Sequence, residues 1–163
     1  MVDIVEAATR SRMMAGIRSR NTKPELLMRR HLHARGFRYT LDGAGLPGRP
    51  DIVLPKWKVA IFVNGCFWHW HGCHLSKIPS ANRSFWETKL TANQTRDDVS
   101  QMAIVSAGWR VAIVWECALR GSFAESQLPH LIRNLERWIR AEPKSKVLEL
   151  PSTIVPRVFQ NTK

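Results

Sequence analysis

Asn64-Gly65-Cys66-Phe67-Trp68-His69-Trp70-His71-Gly72-Cys73-His74 packs two thiols, three imidazoles and three aromatic rings into one short segment. Thiolates and imidazoles are preferred ligands of zinc, and a structural zinc site closes as a tetrahedron of four of them. Cys66, His71, Cys73 and the distant Cys117 would supply a Cys3His set; spacing alone leaves the choice among His69, His71 and His74 open. The plainer reading is three free thiols, since an odd cysteine count argues against a disulfide framework. A second set is acidic: Glu25, Asp51 and Asp97. Hydrolysis of a phosphodiester requires charge neutralisation, an activated water and a stabilised leaving oxygen, and carboxylates holding one or two Mg2+ ions meet all three needs. His69 is a candidate general base, with an acidic partner such as Asp97 fixing its tautomer. Taken singly, each carboxylate is as easily a solvated charge, and Glu25 also suits a helix cap.

These side chains need a scaffold. Thr22-Lys23-Pro24-Glu25 carries a capping-box pattern with proline in the first turn, which predicts a helix over about 23–35 that Gly36 ends. Asp42 to Pro50 is a turn-rich loop. Residues 51–54 and 58–63 read as a pair of strands, the second apolar enough to be central. Ser84-Phe85-Trp86-Glu87 repeats the capping pattern, so a long helix over 85–107 is expected before Gly108, followed by a strand over 109–115. Leu128, Leu131, Ile132, Leu135, Trp138 and Ile139 fall at three- and four-residue spacings, the mark of a helix packed on a core. The order is that of an α/β fold, a mixed central sheet flanked by helices. The expected division is an N-terminal arm over 1–22, a main domain over 23–142 and a loosely attached tail over 143–163.

Of the 163 residues, 25 are Lys or Arg and 13 Asp or Glu, a net charge of +12. Such a field concentrates polyanions, and the 7 Trp and 6 Phe beside it offer faces that stack on bases, so nucleic acid is the expected partner. Phe67, Trp68 and Trp86 lie among basic residues and suit wedging between base steps; Trp109, Trp115 and Trp138 suit the core. The longest apolar runs, such as Val59 to Val63, are far short of the ~20 residues that cross a bilayer. No segment reads as a secretion signal, which points to the cytoplasm.

The runs Thr9 to Met14, Leu46-Pro47-Gly48-Arg49-Pro50-Asp51, Gly65 to Cys73 and Gly108 to Gly121 together resemble the very short patch repair (Vsr) endonucleases, over about residues 5–140. The resemblance implies a restriction-endonuclease-like core and Mg2+-dependent nicking of one strand of double-stranded DNA, 5′ to the T of a T:G mismatch left by deamination of 5-methylcytosine. It implies a functional link to a cytosine-5 methyltransferase, contact with mismatch-repair proteins, a monomer, and a cytoplasmic, nucleoid-associated location. Carried over by residue, Asp51 and the backbone carbonyl of Val63 would hold Mg2+, His69 would activate water with Asp97 orienting it, and Glu25 would act through the metal's water shell. Cys66, His71, Cys73 and Cys117 match the structural zinc ligands. Phe67, Trp68 and Trp86 match intercalating aromatics, Met14 a residue entering from the opposite groove, Lys89 and Asn93 base-contacting positions, and Arg120 a further DNA contact. Two departures stand out. Asn64 occupies a position where the family pattern has a His near the scissile phosphate; it donates a hydrogen bond but carries no proton near neutral pH. Val63 replaces a Thr, and Phe62-Val63-Asn64 lacks the acidic-x-Lys motif of the wider nuclease superfamily. Three other readings compete: a zinc-stabilised DNA-binding protein without cleavage, a dimeric double-strand restriction enzyme, and a His/Asn/His metal-finger nuclease.

Overall fold

The computed structural model describes residues 8, 9, 20–141 and 143–151, apart from the side chains of residues 44 and 123. Met14 and most of the arm over 1–22 lie outside them. Helix α1 (Lys23–Ala34) starts as its sequence dictates: the Thr22 hydroxyl accepts from the Glu25 N–H at 3.3 Å, while the Glu25 carboxylate accepts from the Asn21 N–H at 2.9 Å. Gly36 follows the helix at φ 84°, the left-handed geometry of a C-terminal stop.

Strands β1 (Ile52–Leu54) and β2 (Val59–Asn64) pair antiparallel, with Ile52 opposite Ile61. Helix α2 (Arg83–Ser106) then carries the chain back, so that β3 (Arg110–Trp115) runs parallel to β2 with Asn64 opposite Trp115. Helix α3 (Gly121–Arg140) completes the layers. Side chains alternate along β2. Val59, Ile61 and Val63 enter a core with Met28 and Leu32 of α1 and Leu131, Leu135 and Ile139 of α3. Ala60 and Phe62 enter a second core with Ile104 of α2, Val111, Ile113 and Trp115. The central strands are therefore buried on both faces, which explains their nearly continuous apolar sequence. Trp115 and Trp138 are buried and Trp109 packs against the second core, as expected of these three tryptophans.

Two expectations differ from the structure. Helix α2 begins at Arg83, one residue after Asn82, whose φ of 54° is left-handed, and no side chain caps it. Ser84 thus lies inside the helix, and Glu87 pairs with Arg83 at 2.8 Å instead of closing a capping box. The segment read as a loose tail contributes a fourth strand, β4 (Val147–Leu150), parallel to β3 and giving a mixed sheet in the order β1-β2-β3-β4. The physical reason is the edge: without β4, the N–H and C=O groups on the outer side of β3 would face no partner. Glu149 also accepts from the Trp115 indole N–H at 2.7 Å. Among the described residues, no helix is long and apolar enough to cross a membrane.

Candidate active site and metal centre

Because β2 and β3 are parallel and in register, the residues that follow them, Gly65-Cys66 and Glu116-Cys117, emerge side by side at one sheet edge. Asp51 precedes β1, which runs the other way, so it arrives at that same edge. Topology alone therefore gathers residues far apart in the chain.

The first cluster there is Cys66, His71, Cys73 and Cys117, whose ligand atoms all lie within 4.8 Å of one another. His71 Nδ1 lies 3.6 Å from Cys66 Sγ and 3.5 Å from Cys117 Sγ. The Cys117 N–H points at Cys66 Sγ (3.3 Å) and the Leu75 N–H at Cys73 Sγ (3.4 Å). The hydrogen bond with Cys117, and after it burial, pushes the Cys66 thiol well up, while hydrogen bonds with Cys66 and His71 pull Cys117 down to about 4. The His71 ring stacks on Trp115, centroids 4.1 Å apart and planes at 11°, which fixes its Nδ1 toward the sulfurs. The cluster is a group that could bind a metal. His71 is the imidazole in it, while His74 is exposed and His69 points elsewhere.

His69 Nδ1 lies 2.6 Å from Asp97 Oδ2 on α2. Both line a cavity of about 510 Å3 together with Glu25, Asp51, Asn64 and Glu116. Asp51 accepts from the Val63 N–H at 2.7 Å. Burial pushes its carboxyl up from 3.8 to about 6; the Val63 hydrogen bond opposes this, the negative charge of Glu25 adds to it, and His69 and Arg29 oppose it. Glu25 is buried with both oxygens engaged, by Asn21 and by Arg29 at 3.1 Å on one and by Thr22 on the other. Asn64 is buried at the end of β2. A carboxylate at low dielectric beside a second carboxylate lacks positive charge, and this donor set fits a divalent cation.

Beside the cavity, Phe67, Trp68 and Trp86 meet edge to face, with centroids 5.1, 5.4 and 6.2 Å apart. Phe85, not singled out from the sequence, extends the cluster and is 56% exposed. Lys89 Nζ lies 5.7 Å from the Trp86 ring and 5.8 Å from that of Trp68. The Asn93 amide donates to the Trp68 carbonyl at 2.9 Å, tying the aromatic loop to α2. Arg120 is exposed and pairs with Glu116 at 2.8 Å. Sequence reasoning passed over Glu116 and Arg29. Glu116 was legible from its place directly after β3, level with Gly65 directly after β2; Arg29 was legible as the residue one helical turn beyond Glu25.

Three relatives and a family profile carry the comparison further. The profile "DNA mismatch endonuclease Vsr" matches residues 2–75. A type II nicking enzyme, V.XorIIP, of Xanthomonas oryzae pv. oryzae is 43% identical over 119 residues, 73% of this chain and 88% of that protein. Another, V.NmeAIP of Neisseria meningitidis, is 39% identical over 137 residues, 83% of this chain and 98% of its own. The DNA mismatch endonuclease Vsr of Escherichia coli is 40% identical over 149 residues, 91% of this chain and 95% of its own. In class, the protein is a DNA endonuclease, a hydrolase of phosphodiester bonds that nicks. The chain belongs to the DNA mismatch endonuclease Vsr family.

Proposed function

We propose that the protein nicks the T-bearing strand of a T:G mismatch, 5′ to the T, in duplexes where 5-methylcytosine has been deaminated, and that the sheet and its helices form a restriction-endonuclease-like core. The observation that carries this reading is the convergence of Asp51 and the His69–Asp97 pair on one cavity beside the Phe67, Trp68 and Trp86 rings.

Asp51 and the backbone carbonyl of Val63 would hold Mg2+, which when bound would neutralise the phosphate and lower the pKa of a water. Glu25, already hydrogen-bonded through both oxygens, would act on the metal's water shell. With Nδ1 donating to Asp97, His69 presents Nε2 as the acceptor for a proton from the attacking water. The water oxygen bonds to phosphorus, the bond from phosphorus to the 3′ oxygen breaks, and the departing oxygen takes a proton from solvent. Asn64 would donate a hydrogen bond to the phosphate. Phe67, Trp68 and Trp86 would enter the base stack, Met14 would enter from the opposite groove, and Lys89, Asn93 and Arg120 would contact the DNA. Zinc in the Cys66, His71, Cys73 and Cys117 group would hold the loop bearing His69 by its two ends. A monomer suffices for one nick. A cytosine-5 methyltransferase would create the substrate, mismatch-repair proteins would act beside the enzyme, and the cytoplasm is where both lesion and DNA lie.

The test is a strand-resolved cleavage assay on duplexes with T:G or matched T:A, with Mg2+ or chelator, comparing wild type with Asp51→Ala. Mg2+-dependent cutting of the T strand at T:G alone, absent in the variant, is the expected outcome. Equal cutting of T:A, or cutting by Asp51→Ala, would overturn the reading.

A further inference from the structure

The cavity that holds Asp51 and His69 is lined by four carboxylates, those of Glu25, Asp51, Asp97 and Glu116, and by a single Lys or Arg, Arg49. Three of these carboxylates already have partners, Glu25 in Arg29, Glu116 in Arg120 and Asp97 in His69, so the cation lining the cavity that is left to meet a DNA phosphate is Arg49. The strand above the cavity, Phe62-Val63-Asn64, brings no cation.

The chain invests unusual backbone geometry in putting Arg49 there. Its φ is 51°, a left-handed conformation that residues with a Cβ adopt rarely, and the residue before a proline is pushed toward extended geometry besides. Such a residue persists where its surroundings determine it, and the packing shows how. A Cβ on Gly43 would lie 2.8 Å from the Arg49 Cα, and one on Gly48 would lie 2.6 Å from the Ser100 Cβ of α2. The loop is clamped on both sides of the position. Arg49 also lines a neighbouring cavity of about 520 Å3 with Arg20 and Arg29. Those two arginines are engaged, Arg20 by Asp42 and Arg29 by Glu25 and Asn21. Among the described residues, nothing engages the exposed guanidinium of Arg49.

We infer that Arg49 contacts the phosphodiester being cut and balances the negative charge that grows on its non-bridging oxygens. Its planar fork suits a phosphate, and a preorganised donor at the reacting group acts mainly on the rate of the chemical step. The assignment rests on the site reading given under Proposed function.

The experiment is single-turnover nicking of a T:G duplex, labelled on the T strand, by saturating wild type, Arg49→Gly, Arg49→Lys and Asp51→Ala. Glycine relieves the left-handed backbone, so Arg49→Gly should melt at or above the wild-type temperature, bind the uncut duplex within about tenfold of wild type, and nick about 100-fold slower. Arg49→Lys should recover about tenfold, as a point charge without the fork. Nicking by Arg49→Gly within threefold of wild type, or equal losses in the Gly and Lys variants, would overturn the assignment. If Asp51→Ala is silent while Arg49→Gly cuts normally, only the Arg49 assignment falls; if Asp51→Ala cuts normally, the site reading falls with it.

Discussion

The loop after β2 faces two ways, and its two sides differ in kind. On one side, Cys66, His71 and Cys73 close around one another and Cys117, buried or half-buried, with backbone N–H groups aimed at the sulfurs. On the other, His69 faces an open cavity where Asp51 stands charged against its own burial. Neighbouring histidines in one segment thus meet opposite surroundings: His71 is stacked and enclosed, and His69 is paired and accessible. The difference teaches that burial and ring stacking, not sequence position, separate an enclosed ligand-type histidine from an accessible one. The loop is steadied along its length as well, by the His69 N–H on the Gly65 carbonyl at 3.2 Å and by the Asn93 and Gln94 amides of α2 on the Trp68 and Trp70 carbonyls.

The comparison breaks most severely at the enclosed side. Zinc-binding free energies of about 10–16 kcal/mol rival the 5–15 kcal/mol net stability of a whole domain, so with zinc held by this group, as proposed above, Cys66→Ala or Cys117→Ala should lose the metal and unfold near physiological temperature. Metal content and a circular dichroism melt check this; a variant that loses metal yet melts like wild type would sink it. His69→Ala probes the other side and should slow nicking by about 10²–10⁴-fold, with metal content and melting temperature unchanged. Loss of the metal in that variant would mean that His69 is a ligand.

A smaller effect isolates Asp51. Its folded pKa of about 6 exceeds the ordinary 3.8, so the folded state favours the protonated acid. Well below pH 3.8 both states are protonated and burial costs nothing; as pH rises from 3.8 to 6 the penalty on the folded state builds to about 3 kcal/mol and is constant above that. In magnesium-free buffer, Asp51→Asn should therefore be more stable than wild type above pH 6, with the gap closing toward pH 4. A gap that is constant with pH, seen in paired melts, would contradict this. The smallest effect lies at the scaffold: Thr22→Ala removes the α1 cap and should cost about 1 kcal/mol by denaturant titration.

Local chemistry made much of this molecule readable in advance. The Thr22–Glu25 capping motif, the stop at Gly36, the apolar strands and the spacing of Leu128 to Ile139 each encode their element within a few residues, and each stands where expected. The failures share one cause. Ser84 looked like a cap, but the left-handed Asn82 starts α2 at Arg83 with no capping side chain, a start that a side-chain capping pattern does not announce. Val147–Leu150 looked like tail because a four-residue edge strand has little signal of its own; its partner is β3.

The site divides in the same way. Which residue types are available for ligation and proton transfer was plain from the segment 64–74 together with Glu25, Asp51, Asp97 and Cys117. Which histidine joins the thiols was not legible from spacing, and only the family resemblance pointed to His71, because adjacent side chains of a loop take their directions from packing, here Trp115 under His71 and Asp97 beside His69. Sequence alone determined the inventory and the helices and strands, since these depend on spacings of two to four residues. Tertiary structure decided the assembly, because only the parallel register of β2 on β3, closed by α2, brings Asp51, His69 and Glu116 to one cavity and Cys66 to Cys117.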